Sequence, residues 1–249
     1  MHIILTGATG TVGAAVLRHC LASPNITHLS ILSRREFALP VDDNLDVQKA
    51  HTIIHKDYSA YPDELLAKLK GADGCIWAQG ISQTEVPKDE YIRITHDYPL
   101  AAAKAFSSLS INSKFNFVYV SGEGADPTEK SYTLFGKIKG RTETALLSLP
   151  STPAYSALRV YNVRPGYVDP PKHHRPRSII TKILVESVLA PALRLLLPSQ
   201  VSPTGPLSKV LVDLATGDGN ALEAKPGAGI EADGRTVRSV AIRRLATEL

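Results

Sequence analysis

The stretch that decides the fold of this chain is Thr6-Gly7-Ala8-Thr9-Gly10-Thr11-Val12-Gly13, which follows the short apolar run His2-Ile3-Ile4-Leu5. The apolar run predicts a buried parallel strand, and the three glycines form a G-x-x-G-x-x-G turn. Beyond the turn, Val12, Val16 and Cys20 recur at helical spacing. A strand that enters a helix through a glycine-rich turn is typical of proteins that bind the phosphates of a nucleotide.

Glycine is needed at each of the three positions of this turn for a different physical reason. Gly7 can adopt backbone angles that other residues avoid, Gly10 has no Cβ to keep a pyrophosphate away, and Gly13 lets the helix pack closely on the strand. The N-terminus of the helix offers free N–H groups to anionic oxygens. We therefore predict a dinucleotide site, and the alternative is a tight structural turn without a ligand. The residues expected to contact the dinucleotide here are Thr6, Gly7, Thr9, Gly10, Thr11, Val12 and Gly13.

The composition is that of an ordinary globular protein. A chain of 249 residues can bury a substantial core, and its net charge of +4 is modest. The two basic segments, 172–177 and 235–244, contain no interleaved aromatic residues, so we interpret them as solvated surfaces and expect no nucleic-acid partner. Cys20 and Cys75 are expected in the core, and the sequence predicts neither a disulfide framework nor a metal site.

The sequence also predicts a cytoplasmic location. The first strand begins at once, so no export signal is expected before it. The longest apolar run, residues 179–197, is interrupted by charged residues and a proline, so no transmembrane segment is expected. The same run could instead serve as a surface for a partner or a membrane, although a helix packed on the core explains it more simply.

Strands and helices are predicted to alternate over the first 165 residues. The predicted strands are residues 2–5, 27–32, 52–55, 73–78, 115–120 and 155–163. The predicted helices after the first are residues 62–71, 85–109 and 130–149, and Pro99 is expected to mark a break or an early turn. This alternation predicts an α/β fold with a doubly wound parallel sheet.

We expect residues 1–249 to form one domain with two parts. Residues 1–168 would be the cofactor-binding core. Residues 169–249 would be the substrate side, with helices near 179–197 and 207–216 followed by a basic tail. A small-molecule substrate is expected there, and assembly into a homo-oligomer is left open.

In a doubly wound sheet, ligands bind beyond the carboxyl ends of the strands. The second strand ends at Ser33, Arg34 and Arg35, where a carboxylate would accept hydrogen bonds from the ribose of NAD. Two arginines suit a 2′-phosphate instead, which favours NADP(H) over NAD(H). Further contacts are expected from the residues after the third and fourth strands, Asp57, Tyr58, Ala78, Gln79 and Gly80.

Three features together resemble the short-chain dehydrogenase/reductase superfamily. These features are the glycine turn, Ser121 at the end of the fifth strand, and Lys139 followed by Gly140 and Glu143. The likeness is greatest to the atypical and extended branch, which contains NmrA-like and nucleotide-sugar-epimerase-like proteins. It covers residues 1–168 and implies a Rossmann fold that binds NAD(P), with oxidoreductase activity on a small organic substrate.

The resemblance also implies roles for individual residues. The superfamily uses a serine with a tyrosine and a lysine spaced Y-x-x-x-K, so Ser121 would hold the substrate oxygen and Lys139 the cofactor ribose. Residues four apart lie on one helix face, which lets the lysine lower the pKa of the phenol. Arg164, Pro165 and Gly166 match the segment that borders the nicotinamide.

One residue departs from the superfamily pattern. Phe135 stands four residues before Lys139, where the tyrosine is expected, and a phenylalanine has no hydroxyl to donate. Tyr132 could replace it if the helix starts later than residue 130. The other candidates for the acid or base are Tyr161, Tyr167, His173 and His174, or water.

Three functions are compatible with this sequence. The first is an NADP(H)-dependent oxidoreductase that acts on a small carbonyl or alcohol, with Ser121, Lys139 and Tyr132 as its catalytic residues. The second is a non-redox isomerase, dehydratase or cyclase on the same fold. The third is a non-enzymatic regulator that senses NADP(H).

Overall fold

The apolar runs of the sequence form the centre of one eight-stranded sheet, with strand order β3-β2-β1-β4-β5-β6-β10-β9. The computed structural model describes residues 1–110, 114–168, 201–224 and 227–248. The strands are β1 His2–Thr6, β2 His28–Ser33, β3 Ala50–Ile54, β4 Gly74–Trp77, β5 Phe115–Val120, β6 Leu158–Arg164, β7 Tyr167–Val168, β8 Val201–Ser202, β9 Ile230–Glu231 and β10 Thr236–Arg238. All pairs in this sheet are parallel except β9 with β10, and β7 pairs with β8 separately. The predicted doubly wound α/β fold is confirmed.

Helices cover both faces of the sheet. They are α1 Thr11–Ala22, α2 Asp63–Leu69, α3 Lys88–Ile92, α4 Tyr98–Phe106, α5 Leu134–Ser148, α6 Thr204–Thr216 and α7 Ser239–Glu248. One apolar layer joins α1, α6 and α7 to the sheet, with Val16 and Leu211 at its centre. The other joins α2, α4 and α5, with Phe106 and Leu146 fully buried. The sheet therefore separates two cores, as a doubly wound fold requires.

Pro99 marks a change of helical type and does not end the helix. Residues Arg93–Asp97 form a π-helical segment between α3 and α4. Proline has no N–H, so residue 99 cannot donate to the carbonyl of Thr95 four residues earlier. That carbonyl accepts instead from the Tyr119 hydroxyl at 3.1 Å and from the Thr142 hydroxyl at 3.2 Å. The freed carbonyl thus fastens this helix to β5 and α5.

The C-terminal part of the chain differs from its prediction as a basic tail. Residues 236–238 form β10 beside β6, and residues 239–248 form α7. Helix α6 packs on α1, β4 and β5, so this part completes the sheet and one of its covers. Two arginines of the supposed solvated surface 235–244 are engaged: the Arg235 guanidinium lies 4.9 Å from the centre of the Tyr161 ring, and Arg238 pairs with Glu123, while Arg243 is exposed as predicted.

Several predictions concern residues outside the described ranges. They are His173 and His174 as acid–base candidates, the basic segment 172–177 and the apolar run 179–197. Within the described ranges, none of the helices combines the length and hydropathy needed to cross a membrane.

Candidate functional site

Backbone atoms approach each other closely in the glycine turn between β1 and α1. Gly7 adopts φ +71°, and a Cβ there would lie 2.4 Å from the carbonyl oxygen of Ala78. A Cβ on Gly13 would lie 2.0 Å from the carbonyl oxygen of Gly7. The Gly10 N–H donates to that same oxygen at 2.9 Å. Only glycine fits at positions 7 and 13, because any side chain would overlap backbone atoms.

The N-terminus of α1 meets the requirements of a phosphate site. Its N-cap is Gly10, and within the described part of the chain no side chain caps its free N–H groups. Its first turn also carries no acidic residue. Free N–H groups and the positive end of the helix dipole favour an anion here. The residues present therefore fit the pyrophosphate of a dinucleotide.

A cleft of about 1070 Å³ runs from this helix N-terminus across the carboxyl ends of β4, β5 and β6. A smaller cavity of about 140 Å³ adjoins it on the β2 side. The two share Gly10, Ala78, Gln79 and Gly80 in their walls. Together they trace a path from Arg34 to Ser121 past the carboxyl ends of the strands, where a doubly wound sheet binds its ligands.

Most of the predicted dinucleotide contacts line this path, and a few do not. The lining residues are Gly7, Thr9, Gly10, Thr11, Val12, Ser33, Arg34, Tyr58, Ala78, Gln79, Gly80, Pro165 and Gly166. Thr6 and Gly13 are buried behind the turn. Arg35 and Asp57 are exposed and lie outside both linings, so a contact from either needs a longer reach.

The β2 end of the path carries an exposed guanidinium and a buried aromatic ring. Arg34 is exposed and lines the small cavity. Tyr58 is buried, and its hydroxyl donates to the Leu32 carbonyl at 3.0 Å. The Asp57 carboxylate accepts from the hydroxyl and the N–H of Ser59, and these hydrogen bonds lower its pKa. Asp57 therefore shapes its own turn, while Tyr58 forms a wall.

The opposite end of the cleft holds Ser121 and Lys139. Ser121 is buried, and its Oγ has no hydrogen-bond partner among the described residues. The Lys139 ammonium donates to the Val120 carbonyl at 2.9 Å and lies 4.7 Å from the centre of the Tyr119 ring. Burial lowers the pKa of Lys139 from its ordinary value of 10.5 to about 8, while the Glu143 carboxylate acts in the opposite direction. The structure thus brings together the serine and the lysine that the sequence placed apart.

Phe135 also lines this cleft and approaches Gly122. A Cβ on Gly122 would lie 2.5 Å from Cζ of the Phe135 ring and 3.3 and 3.5 Å from its two Cε atoms. Cζ is the nearest atom, so the long axis of the ring points at the Gly122 backbone. A phenol oxygen on this ring would collide with Gly122, and position 135 differs from a tyrosine in more than a missing hydroxyl.

Tyr132 does not reach the cleft. Helix α5 begins at Leu134, later than predicted, and Tyr132 precedes it with its side chain fully exposed. Tyr161 is also outside, since its hydroxyl donates to the Asn220 carbonyl at 2.5 Å. Tyr167 does line the cleft, and its hydroxyl is buried without a partner among the described residues. We therefore correct the assignment of Tyr132 as the proton donor.

Arg164 is a second correction. Its guanidinium is buried and forms a forked ion pair with Glu143, with Nε at 2.9 Å and Nη2 at 2.5 Å from the carboxylate oxygens. Its Nη1 contacts Glu231 at 3.1 Å. Each nitrogen of this guanidinium has a carboxylate partner and Arg164 lines neither cavity, so Arg164 supports the site from behind.

Two residues of the site carry no signal in the sequence. Glu123 lines the cleft two positions after Ser121 and accepts from Arg238 and from the Ser239 N–H. Gln83, in the loop after β4, accepts from the Phe135 N–H at 2.7 Å and so caps α5. Both contacts join segments far apart in the chain, so no local pattern could have predicted them.

The chain is similar in sequence to a known protein and similar in fold to solved structures. No protein-family model matches the chain. Over 98% of its length it is 35% identical to Leucinostatins biosynthesis cluster protein T of Purpureocillium lilacinum, of which it covers 94%.

Solved structures share the fold. The chain is similar to a short chain dehydrogenase family protein from Francisella tularensis subsp. tularensis SCHU S4, with a TM-score of 0.65, 15% identity and 98% of each chain covered. It is also similar to MoeE5, solved in complex with UDP-glucose and NAD, with a TM-score of 0.62, 16% identity, and 86% of this chain and 72% of that chain covered. At these identities the likeness concerns the fold.

Proposed function

We propose that this chain, which belongs to one family with the leucinostatin-cluster protein and shares the fold of short-chain dehydrogenases, is an NADP(H)-dependent oxidoreductase acting on a small carbonyl or alcohol. One observation carries the proposal. The unpartnered hydroxyl of Ser121 and the buried ammonium of Lys139 line the same cleft as the uncapped N-terminus of α1, as far as the described residues show.

The glycine turn and Arg34 would hold the cofactor. The backbone of Gly7 to Val12 suits the pyrophosphate, and the Arg34 guanidinium suits the 2′-phosphate of NADP(H) through charge-assisted hydrogen bonds. NAD(H), which carries two hydroxyls at that ribose, gains nothing from Arg34. The bound nicotinamide would supply or accept the hydride in the reaction.

Ser121 and Lys139 would act at the other end of the cofactor. The Ser121 hydroxyl can donate to the substrate oxygen, which places the carbonyl for reaction. The Lys139 ammonium is charged at neutral pH, because its pKa of about 8 lies above 7. It can donate to the cofactor ribose while the ammonium keeps its position over the Tyr119 ring. Both roles are extensions of the superfamily pattern to these positions.

The walls of the cleft favour an apolar organic substrate. Val12, Ile81, Val120, Phe135 and Val168 all contribute to its lining. A relative named for a biosynthesis cluster supports a tailoring step on a small metabolite. We further propose one domain, residues 1–249, located in the cytoplasm.

Phe135 favours a second candidate, a non-redox isomerase, dehydratase or cyclase that uses the same cleft. Position 135 lacks the phenol on which the superfamily mechanism depends. Turnover of a substrate in the absence of any nicotinamide would support this candidate over the first.

The proposal is tested by binding and consumption of NADPH with a panel of aliphatic ketones, aromatic ketones and quinones. We expect NADPH consumption with some carbonyls, and Arg34→Ala should raise the Kd for NADPH about tenfold through loss of a charge-assisted contact. The Kd for NADH should change less than about twofold, since NADH has no 2′-phosphate. The matched control is Arg243→Ala, an exposed arginine of α7. Equal losses for both cofactors would contradict the NADP(H) preference, and tight NADPH binding without consumption would contradict the oxidoreductase.

A further inference from the structure

Reduction of a carbonyl needs a proton at the oxygen as well as a hydride at the carbon. Phe135 cannot provide it, and its ring points at Gly122 so that an added oxygen would not fit. Tyr132 is fully exposed. The proton must come from water or from another group, and among the described residues Tyr167 lines the cleft.

Tyr167 is a phenol in the wall of this cleft. Its ring is partly exposed, yet its hydroxyl is buried and has no hydrogen-bond partner in the described ranges. A buried hydroxyl without a partner loses the hydrogen bonds that water would give it, so such groups in native proteins call for an explanation. A ligand oxygen in the cleft would supply the missing partner.

The backbone brings the segment that leads to Tyr167 alongside the loop that carries Ser121. The Ser121 N–H donates to the Val163 carbonyl at 2.8 Å, and the Glu123 N–H donates to the Pro165 carbonyl at 2.8 Å. The loop after β5 and the segment after β6 therefore run together past the ends of their strands. Ser121 starts this paired stretch, and Tyr167 follows it two residues after Pro165.

Tyr167 is also held firmly. It pairs with Val201 as β7 against β8, and the preceding Gly166 N–H donates to the Ser202 hydroxyl at 3.0 Å. Ser202 in turn lies 3.0 Å from the Ser239 hydroxyl at the start of α7. A side chain on an element anchored in this way keeps a defined position, which general acid–base catalysis requires.

The geometry points to Tyr167 as the catalytic acid and base of this protein, in place of the tyrosine that position 135 lacks. The inference rests on the proposed oxidoreductase function. In the reduction, the carbonyl carbon gains the hydride supplied by a reduced nicotinamide dinucleotide, and the C=O π bond breaks. Its electron pair forms an O–H bond with the proton of the Tyr167 hydroxyl. The substrate is reduced, the nicotinamide is oxidised, and the Tyr167 phenolate regains a proton from water.

The test compares Tyr167→Phe with the wild-type chain. The matched control is Tyr155→Phe, a tyrosine before β6 at the amino-terminal edge of the sheet, far from the cleft. Three quantities are measured: kcat for NADPH oxidation with the carbonyl that the wild type reduces fastest, the Kd for NADPH, and the Kd of that carbonyl in the presence of NADP⁺. The last two do not depend on turnover.

We expect Tyr167→Phe to lower kcat at least about 100-fold, the range of general acid catalysis. The Kd for NADPH should stay within about twofold, and the carbonyl Kd with NADP⁺ should rise about tenfold through the loss of one hydrogen bond. Tyr155→Phe should match the wild type. Phe135→Tyr added to Tyr167→Phe should restore nothing, because Gly122 blocks the new hydroxyl.

The outcomes separate the two claims. A wild type that binds NADPH but reduces no carbonyl of the panel overturns the proposed function and this inference with it. A wild type that reduces carbonyls while Tyr167→Phe keeps kcat within about threefold overturns the inference alone. Recovery of activity by Phe135→Tyr would also overturn it, since it would show that position 135 can serve.

Discussion

The two ends of the cleft are built by different means. The turn end, Gly7 to Gly13, lies within a few consecutive residues and depends on backbone atoms that approach too closely for any side chain. The reaction end gathers Ser121, Lys139 and Tyr167 from three separate segments. It depends on long side chains that hold these segments in place.

Charged side chains hold the reaction end in an alternating series. Glu143 on α5 pairs with Arg164 at the end of β6, which contacts Glu231 on β9. Glu231 contacts Arg238 at the end of β10, and Arg238 binds Glu123 in the wall of the cleft. The turn end thus leaves no room for a side chain at Gly7 or Gly13, whereas the reaction end depends on charges that stay paired.

The largest effect is expected where the charge series is most deeply buried. Arg164→Met leaves the Glu143 carboxylate, whose side chain is 1% exposed, without its forked partner. An unpaired buried charge should lower the free energy of unfolding by about 3–5 kcal/mol. Urea denaturation monitored by circular dichroism measures it.

Two further variants test this reading of Arg164. Arg141→Met removes the exposed pair with Glu129, where both side chains are at least 40% exposed, and should cost less than about 1 kcal/mol. Glu143→Leu combined with Arg164→Met should recover much of the stability, because no charge is left buried. Equal losses of unfolding free energy in the Arg164 and Arg141 variants would show that the buried ion pair stabilises the fold no more than the exposed one.

A smaller loss of stability, with a larger loss of cofactor, is expected at the turn end. Gly13→Ala places a Cβ 2.0 Å from the Gly7 carbonyl oxygen, so the turn must shift. Overpacking of this kind costs about 1–3 kcal/mol. The displaced N–H groups should weaken NADPH binding by more than about tenfold, measured by fluorescence titration.

The control for the glycine turn is Gly205→Ala in the first turn of α6, where an added Cβ meets no atom within 4 Å. This change should leave NADPH binding unaltered and should not lower stability, because alanine is the better helix former. If Gly13→Ala behaved like Gly205→Ala, the close approach seen in the turn would have no consequence.

One expected stability change has the opposite sign. Below pH 8 the folded chain carries the Lys139 charge in a buried place, so burial destabilises the fold there. Between pH 8 and 10.5 the folded state releases this proton while the unfolded state still binds it, and the penalty fades. Lys139→Met should therefore raise stability at pH 7 by about 2 kcal/mol, after loss of the hydrogen bond to Val120.

The advantage of Lys139→Met should disappear near pH 10.5, and urea titrations at the two pH values measure it. Lys137→Met, on the exposed side of α5, is the control and should show no pH-dependent difference. Activity should fall in Lys139→Met even as stability rises, since the cofactor ribose loses its donor. A stability gain that persists unchanged at high pH would argue against a buried charge as its cause.

The same contrast explains what the sequence could predict. The turn end is encoded locally, so β1, the glycine turn and α1 follow from spacing alone. The position of Lys139 near Ser121 followed from a motif. The partners of Arg164 could not be predicted, because Glu143 and Glu231 meet it only through the tertiary fold.

Other differences have equally physical causes. Helix α5 begins at Leu134 because the Thr133 hydroxyl caps it, accepting from the Gly136 N–H at 3.0 Å, which leaves Tyr132 outside. β9 and β10 are two and three residues long, too short for a hydrophobic period to reveal them. The helix continues past Pro99 because the hydroxyls of Tyr119 and Thr142 donate to the Thr95 carbonyl, to which proline cannot donate.

The place of α6 and β10 has a consequence for how the protein is made. Helix α6 covers α1 and β5, and β10 lies beside β6, so elements from the two ends of the chain pack against each other. A ribosome releases the glycine turn long before it releases residues 204–238, and domains fold largely as units during synthesis. Until then the apolar face of α1 stays uncovered in the nascent chain. Such non-local pairing slows folding, so chaperones that bind exposed apolar surface are expected to hold this protein through most of its translation.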